Sequence, residues 1–134
     1  MISETHSTNV VFVEDEPLIA GLISDVFTEH GFEVHAFPQA AEALRYIRSG
    51  SPVDVLFTDI NLPGGMDGAE LAEKARALRP ELPIIYASGR YSPSELQPLV
   101  TRSVFVKKPY DPEDVCTLVT RMSGGGDQGS GMSQ

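Results

Sequence analysis

The stretch VLFTDINLPGGMDG, Val55 to Gly68, sets an apolar run against a carboxylate at its end. Val55, Leu56 and Phe57 read as part of a strand buried on both faces, the kind found in a parallel sheet covered by helices. The strand is placed at VDVLF, Val53 to Phe57, with Thr58 and Asp59 at its tip. A loop rich in Pro and Gly follows, with a second acid at Asp67. A carboxylate beside a buried strand needs cations or hydrogen-bond donors to face it.

Outward from that stretch, strands and helices alternate. NVVFV, Asn9 to Val13, is the first strand. A helix follows from Pro17, with Leu18, Leu22 and Val26 on one face and Ile19, Ile23 and Phe27 beside it, at i, i+4, i+8 spacing. His30-Gly31 ends it. Phe32 to Phe37 alternates apolar and polar, as a half-exposed strand does. A second helix runs from Ala40 to Arg48, and Gly50 to Pro52 break the chain. Gly68 to Leu78 is the third helix, capped by Asp67 and turning Leu71, Ala75 and Leu78 inward. PIIYA, Pro83 to Ala87, and SVFVK, Ser103 to Lys107, are the fourth and fifth strands. The last helix starts near Pro112 and buries Val115, Leu118, Val119 and Met122. The alternation predicts an α/β fold, a doubly wound five-stranded parallel sheet with helices on both faces. The first, third and fifth strands are continuous apolar runs, as central strands are. Between Ser88 and Ser103, Pro98 breaks any long helix, so the fourth helix is expected to be short or disordered.

The chain has 134 residues, which fits one domain over 9–122 with a flexible N-terminus at 1–8 and a flexible Gly/Ser-rich tail at 123–134. Only 12 residues follow Met122, so a single-domain protein without an output module is expected. Lys and Arg total 10 against 19 Asp and Glu, a formal net charge of −9. That surface repels phosphate backbones, and no nucleic-acid partner is expected. The sole cysteine, Cys116, excludes an internal disulfide and reads as a small apolar helix residue. The polar start MISETHSTNV lacks a signal pattern, and no apolar stretch approaches a membrane span. A cytoplasmic, membrane-free protein is the expectation.

In doubly wound sheets ligands sit beyond the carboxyl ends of the strands. Glu14, Asp15 and Glu16 follow the first strand, Asp59 the third, Ser88 the fourth, and Lys107, Lys108 and Pro109 the fifth. Carboxylates, a hydroxyl and an ammonium thus converge on one rim. Clustered carboxylates repel unless cations intervene. Oxygen ligands with retained waters suit Mg²⁺ rather than a soft metal. The histidines, His6, His30 and His35, do not share that spacing. Metal, lysine, hydroxyl and one free carboxylate together also make a phosphoryl-transfer site.

VEDEP, FTDINLPGGMDG, YASG and FVKKPY, in that order at strand ends, resemble the receiver domains of two-component response regulators. The resemblance covers Val10 to Met122. It implies a flavodoxin-like strand order of 2-1-3-4-5 and Asp59 as phosphoacceptor. Glu14 and Asp15 match the acidic pair that holds Mg²⁺, directly or through water, with a backbone carbonyl from Asn61. Ser88 matches the switch hydroxyl, Lys108 the lysine on the carboxylate or phosphoryl oxygens, and Phe105 the aromatic that rotates inward. Two departures stand out. PGGMDG has one Gly more than the family's Pro-x-Met-Asp-Gly, which implies a longer, more mobile loop. PIIYASGRY resembles a receiver subgroup nicknamed "FAT GUY", associated with kinases of the HWE/HisKA2 type, in which Tyr91 shares or replaces the role of Phe105.

The expected function is a single-domain response regulator that takes a phosphoryl group on Asp59 from a sensor histidine kinase or a histidine phosphotransfer protein. It then changes its binding to an unknown output protein or acts as a phosphate sink. It is expected to be a monomer and no enzyme beyond self-phosphotransfer and autodephosphorylation. Two rivals share the architecture or chemistry. A flavodoxin-like electron carrier would need a phosphate loop where EDEPL stands. An aspartyl-phosphate phosphohydrolase would usually carry a second acid or Thr at the position of Asn61.

Overall fold

A computed structural model describes residues 7–89 and 100–123. Its elements are β1 (Asn9–Val13), α1 (Pro17–Glu29), β2 (Glu33–Phe37), α2 (Ala40–Arg48), β3 (Val55–Asp59), α3 (Gly68–Leu78), β4 (Ile84–Ser88), β5 (Ser103–Lys107) and α4 (Pro112–Ser123). The sheet is wholly parallel in the order β2-β1-β3-β4-β5. This is the flavodoxin-like arrangement read from the sequence. Strand order reverses between β1 and β3, which opens a crevice at their carboxyl ends.

Hydrogen bonding runs one residue past the strand ends on that rim. Glu14 N–H donates to Phe37 O at 3.1 Å, Ile60 N–H to Ala87 O at 2.9 Å and Lys108 N–H to Ser88 O at 2.9 Å. The turns that carry the polar residues are therefore held in register with the sheet.

Strand alternation divides the interior into two cores. Val11, Val13, Leu56, Ile84 and Tyr86 pack with Leu44, Ile47, Leu71 and Ala75 of α2 and α3. Val10, Phe12, Val55, Phe57 and Ile85 pack with Ile23, Phe27, Val115 and Val119 of α1 and α4. Phe12 stacks on Phe57 with ring centres 5.2 Å apart, and Phe27 lies 5.7 Å and 5.9 Å from the two. Two residues beyond Phe12 and Phe57 on the same side stand Glu14 and Asp59.

Some expected boundaries and faces move. The third strand begins two residues later than VDVLF and includes Asp59; Val53 and Asp54 precede it, and Asp54 Oδ2 accepts from Asn9 N–H at 2.7 Å. The fourth strand is shifted by one and ends on Ser88. The fifth is not central: among the described residues it has β4 as its one neighbour and is half-buried, with Phe105 against the α2–α3 core and Val106 against the α1–α4 core. On α1 the Ile19, Ile23 and Phe27 face is the inward one, while Leu18 and Leu22 are 83% and 66% exposed. Periodicity finds an apolar stripe but not which of two adjoining stripes meets the sheet. Leu78, expected inward, is 41% exposed at the last turn of α3. Residues 90–99, where the short or disordered fourth helix was expected, lie outside the described residues, as do 1–6 and 124–134.

Gly31, at φ 87°, ends α1 as read. Asp67 caps α3, its Oδ1 accepting Glu70 N–H at 2.8 Å. Asp67→Ala is expected to cost about 1 kcal/mol, measured as a lower urea midpoint with an unchanged m-value.

Candidate functional site

At the β1–β3 crevice, Glu14 and Asp59 are 3% and 8% exposed although both carry carboxylates. Lys108, just past β5, reaches between them: its Nζ donates to Glu14 Oε1 at 3.0 Å and to Asp59 Oδ2 at 3.0 Å. Glu14 Oε2 also accepts Glu16 N–H at 3.2 Å, which ties the acidic turn to the start of α1. Asp15 is exposed, yet carboxylate oxygens of Glu14, Asp15 and Asp59 lie within 4.8 Å of one another.

Burial pushes the Asp59 carboxyl above its ordinary 3.8; Lys108 pulls it back, while Glu14 and Asp15 push the same way as burial. For Lys108, burial opposes the charge, but the bonds to Asp59 and Glu14 prevail and hold its ammonium above the ordinary 10.5. One ammonium thus faces three carboxylates, and the cluster attracts further positive charge.

The donor set is all oxygen, which fits a hard divalent cation. Two residues beyond Asp59, Asn61 Oδ1 is a buried acceptor without a hydrogen-bond partner among the described residues. The structure brings Glu14, Asp15, Asp59 and Lys108 together, with Asn61 two residues beyond Asp59. Ser88 is fully buried at the end of β4, beside Lys107 in register, and its carbonyl accepts Lys108 N–H. Phe105 is half-buried, pairs in register with Tyr86 and packs on the α2–α3 core. Tyr91 lies outside the described residues.

Three features went unread in the sequence. Tyr110 has its hydroxyl oxygen buried and without a hydrogen-bond partner among the described residues, and burial together with the charges of Glu14 and Asp59 pushes its pKa up. Tyr86, read as a strand residue standing for the Phe of the subgroup stretch, is fully buried, and its Oη accepts Val100 N–H at 3.4 Å, a contact the sequence did not show. Gly68 lies where an added Cβ would be 2.0 Å from the carbonyl oxygen of Asp59. Only the last left a signal, the Gly closing MDG. The extra loop glycine is absorbed by a left-handed pair, Gly64 at φ 92° and Gly65 at φ 94°.

The response regulator receiver domain family matches residues 10–120. The chain belongs to that family. Among the relatives of this receiver, the transcriptional regulatory protein CreB of Escherichia coli is 32% identical over 82% of the chain and 48% of CreB. The nitrogen assimilation regulatory protein NtrX of Azorhizobium caulinodans is 28% identical over 84% of the chain and 25% of NtrX. The receiver therefore spans between a quarter and about half of these relatives. A response regulator receiver protein from Sinorhizobium medicae superposes with a TM-score of 0.81, at 28% identity, over 87% of this chain and 94% of the other. No helix among the described residues is long and apolar enough to cross a membrane.

In this receiver Lys108→Met is expected to cost about 2 kcal/mol at neutral pH, because it leaves two buried carboxylates face to face without their cation. The cost should shrink as pH falls and Asp59, whose burial favours its neutral form, takes up its proton, and on adding Mg²⁺. Urea unfolding at two pH values checks this. A loss equal at both, with or without Mg²⁺, would assign it to packing instead.

Proposed function

We propose that Asp59 is the phosphoacceptor of a two-component or phosphorelay response regulator. The observation that carries this reading is the Lys108 ammonium held at 3.0 Å from both Glu14 and Asp59 at the strand-order switch. An ammonium there orients the Asp59 carboxylate and stands ready for phosphoryl oxygens.

The donor is a phosphohistidine on a sensor histidine kinase or phosphotransfer protein, since receivers take phosphoryl groups from those proteins. An Asp59 oxygen attacks phosphorus, the P–N bond breaks, the imidazole leaves with a proton taken from solvent, and an acyl phosphate forms. Burial makes Asp59 a stronger nucleophile than an exposed carboxylate once ionised. Glu14, Asp15, Asp59 and the Asn61 carbonyl would hold Mg²⁺, which when bound offsets negative charge on the transferring oxygens. Ser88, at the rim beside Lys108, bonds the phosphoryl group afterwards, and Phe105 or Tyr91 repacks in response.

The readout is altered binding to an output protein or withdrawal of phosphate from the kinase, in a cytoplasmic monomer without turnover of external substrates. The PIIYASGRY stretch, with Tyr86, Ser88 and Tyr91 at the matching positions, favours a kinase of the HWE/HisKA2 type.

Intact mass after incubation with acetyl phosphate tests the reading. One phosphoryl group should be gained, only with Mg²⁺, and peptide mapping should place it on the peptide containing Asp59. Uptake elsewhere, or none from either acetyl phosphate or a cognate kinase, would falsify it.

A further inference from the structure

The buried side-chain polar atoms left without hydrogen-bond partners among the described residues are Asn61 Oδ1 and the Tyr110 hydroxyl. Tyr110 stands two residues past Lys108, and its ring meets Phe57 edge-on at 5.4 Å. Phe57 and Asp59 share one face of β3, so the Tyr110 ring lies on the side of the sheet that carries Asp59. It also borders an apolar groove of about 380 Å³ shared with Ile19, Ile23, Lys108 and Pro109. The side chains of Ile19, Ile23 and Pro109 offer no acceptor. The charges acting on the phenol are those of carboxylates: after burial itself, Glu14 and then Asp59 push its pKa up.

A buried hydroxyl without a partner is worse for stability than a phenylalanine with the same ring packing. The phenol therefore has a use in another state of the site. In the state described, Glu14 Oε1 is served by Lys108 and Oε2 by Glu16 N–H. A phosphoryl group on Asp59 adds oxygens and negative charge farther out than Asp59 Oδ2. A Lys108 that follows those oxygens gives up its bond to Glu14, a carboxylate almost fully buried in the state described and then left with Glu16 N–H as its donor.

We infer that Tyr110 is a positioning residue whose hydroxyl replaces Lys108 as hydrogen-bond donor to Glu14 once the phosphoryl group is in place. The hand-off keeps Glu14 aimed at the acidic cluster while the ammonium leaves it, and so favours the phosphorylated arrangement. The inference rests on Asp59 as phosphoacceptor.

Tyr110→Phe tests it, with beryllium fluoride plus Mg²⁺ as the phosphoryl probe and affinity read from amide shifts near Ser88. The variant should unfold at higher urea than wild type in EDTA, yet bind beryllofluoride roughly three- to tenfold more weakly. The Glu14 side-chain carboxyl carbon should resonate differently in the two proteins with beryllofluoride bound, and alike in EDTA. A lower urea midpoint for Tyr110→Phe in EDTA would show that the hydroxyl already has a partner, which overturns the hand-off. Equal beryllofluoride affinity, or a Glu14 resonance that does not differ in the bound state, overturns it too. Wild-type protein that takes neither beryllofluoride nor a phosphoryl group removes the phosphoacceptor reading itself, and the hand-off with it.

Discussion

Asp59→Asn is expected to take up no phosphoryl group and, without divalent cations, to be more stable than wild type. The two effects share one cause. Asp59 is nearly buried, and its burial raises its pKa more than the Lys108 bond lowers it, with Glu14 and Asp15 adding to the rise. The native protein thus binds this proton more readily than the unfolded chain does. Stability then falls as pH rises from the unfolded value, near 3.8, through the raised native value. Above that window the folded protein carries the full cost of the ionised group. Asn keeps the shape and removes the charge, and Lys108 keeps its bond to Glu14. The gain should be present at neutral pH and fade as pH drops toward 3.8. Magnesium should reverse the order. A cation bound by the folded wild type adds about 2.7 kcal/mol at a hundredfold excess over its Kd, and the variant lacks one ligand. Urea midpoints of both proteins, in EDTA and in Mg²⁺, decide the matter. An Asn variant less stable in EDTA at neutral pH would mean that the Lys108 pair outweighs burial.

Much of this was legible in the chain. The carboxylate closing VLFTD, the VEDEP turn and the lysine before Pro109 each lie where an apolar strand ends, and a parallel sheet must gather such ends on one rim. The strand order followed from the resemblance. Other features were illegible for physical reasons. Leu18 and Ile19 lie 100° apart on one helix and are equally apolar, so only the sheet decides which is buried. The fifth strand's run of valines and phenylalanine fits a half-buried edge as well as a fully buried centre. The Lys108 bridge required Glu14 to face inward, and the spacing of Glu14 and Asp15 leaves open which of the two does. The Tyr110 hydroxyl left no trace in the pattern, because a phenylalanine there would read the same.

Gly68→Ala should be among the most damaging single substitutions in the chain, costing about 3 kcal/mol or more. Gly68 is the first residue of α3, and its N–H donates to Ile60 O at 2.8 Å. Helix start and strand end cross there in close contact. A Cβ would lie 2.0 Å from Asp59 O and 2.9 Å from both Asp59 C and Ile60 Cα. All three are backbone atoms, so no rotamer change relieves the clash. Either α3 lifts from the sheet, loosening Leu71, Ala72 and Ala75 from the core, or the end of β3 moves and takes Asp59 with it. The second response would also disturb the Asp59–Lys108 bond, so phosphorylation by acetyl phosphate should slow even where the protein stays folded. Gly21, inside α1, provides the control: nothing lies within 4 Å of its added Cβ. There the same change should stabilise by roughly 0.5–1 kcal/mol, because alanine loses less backbone entropy in a helix. Urea unfolding of the two variants side by side separates the explanations. Opposite signs place the requirement at the crossing of α3 and β3. A Gly68→Ala protein within about 1 kcal/mol of wild type would mean that the backbone yields there, and that the tight approach does not fix the acceptor.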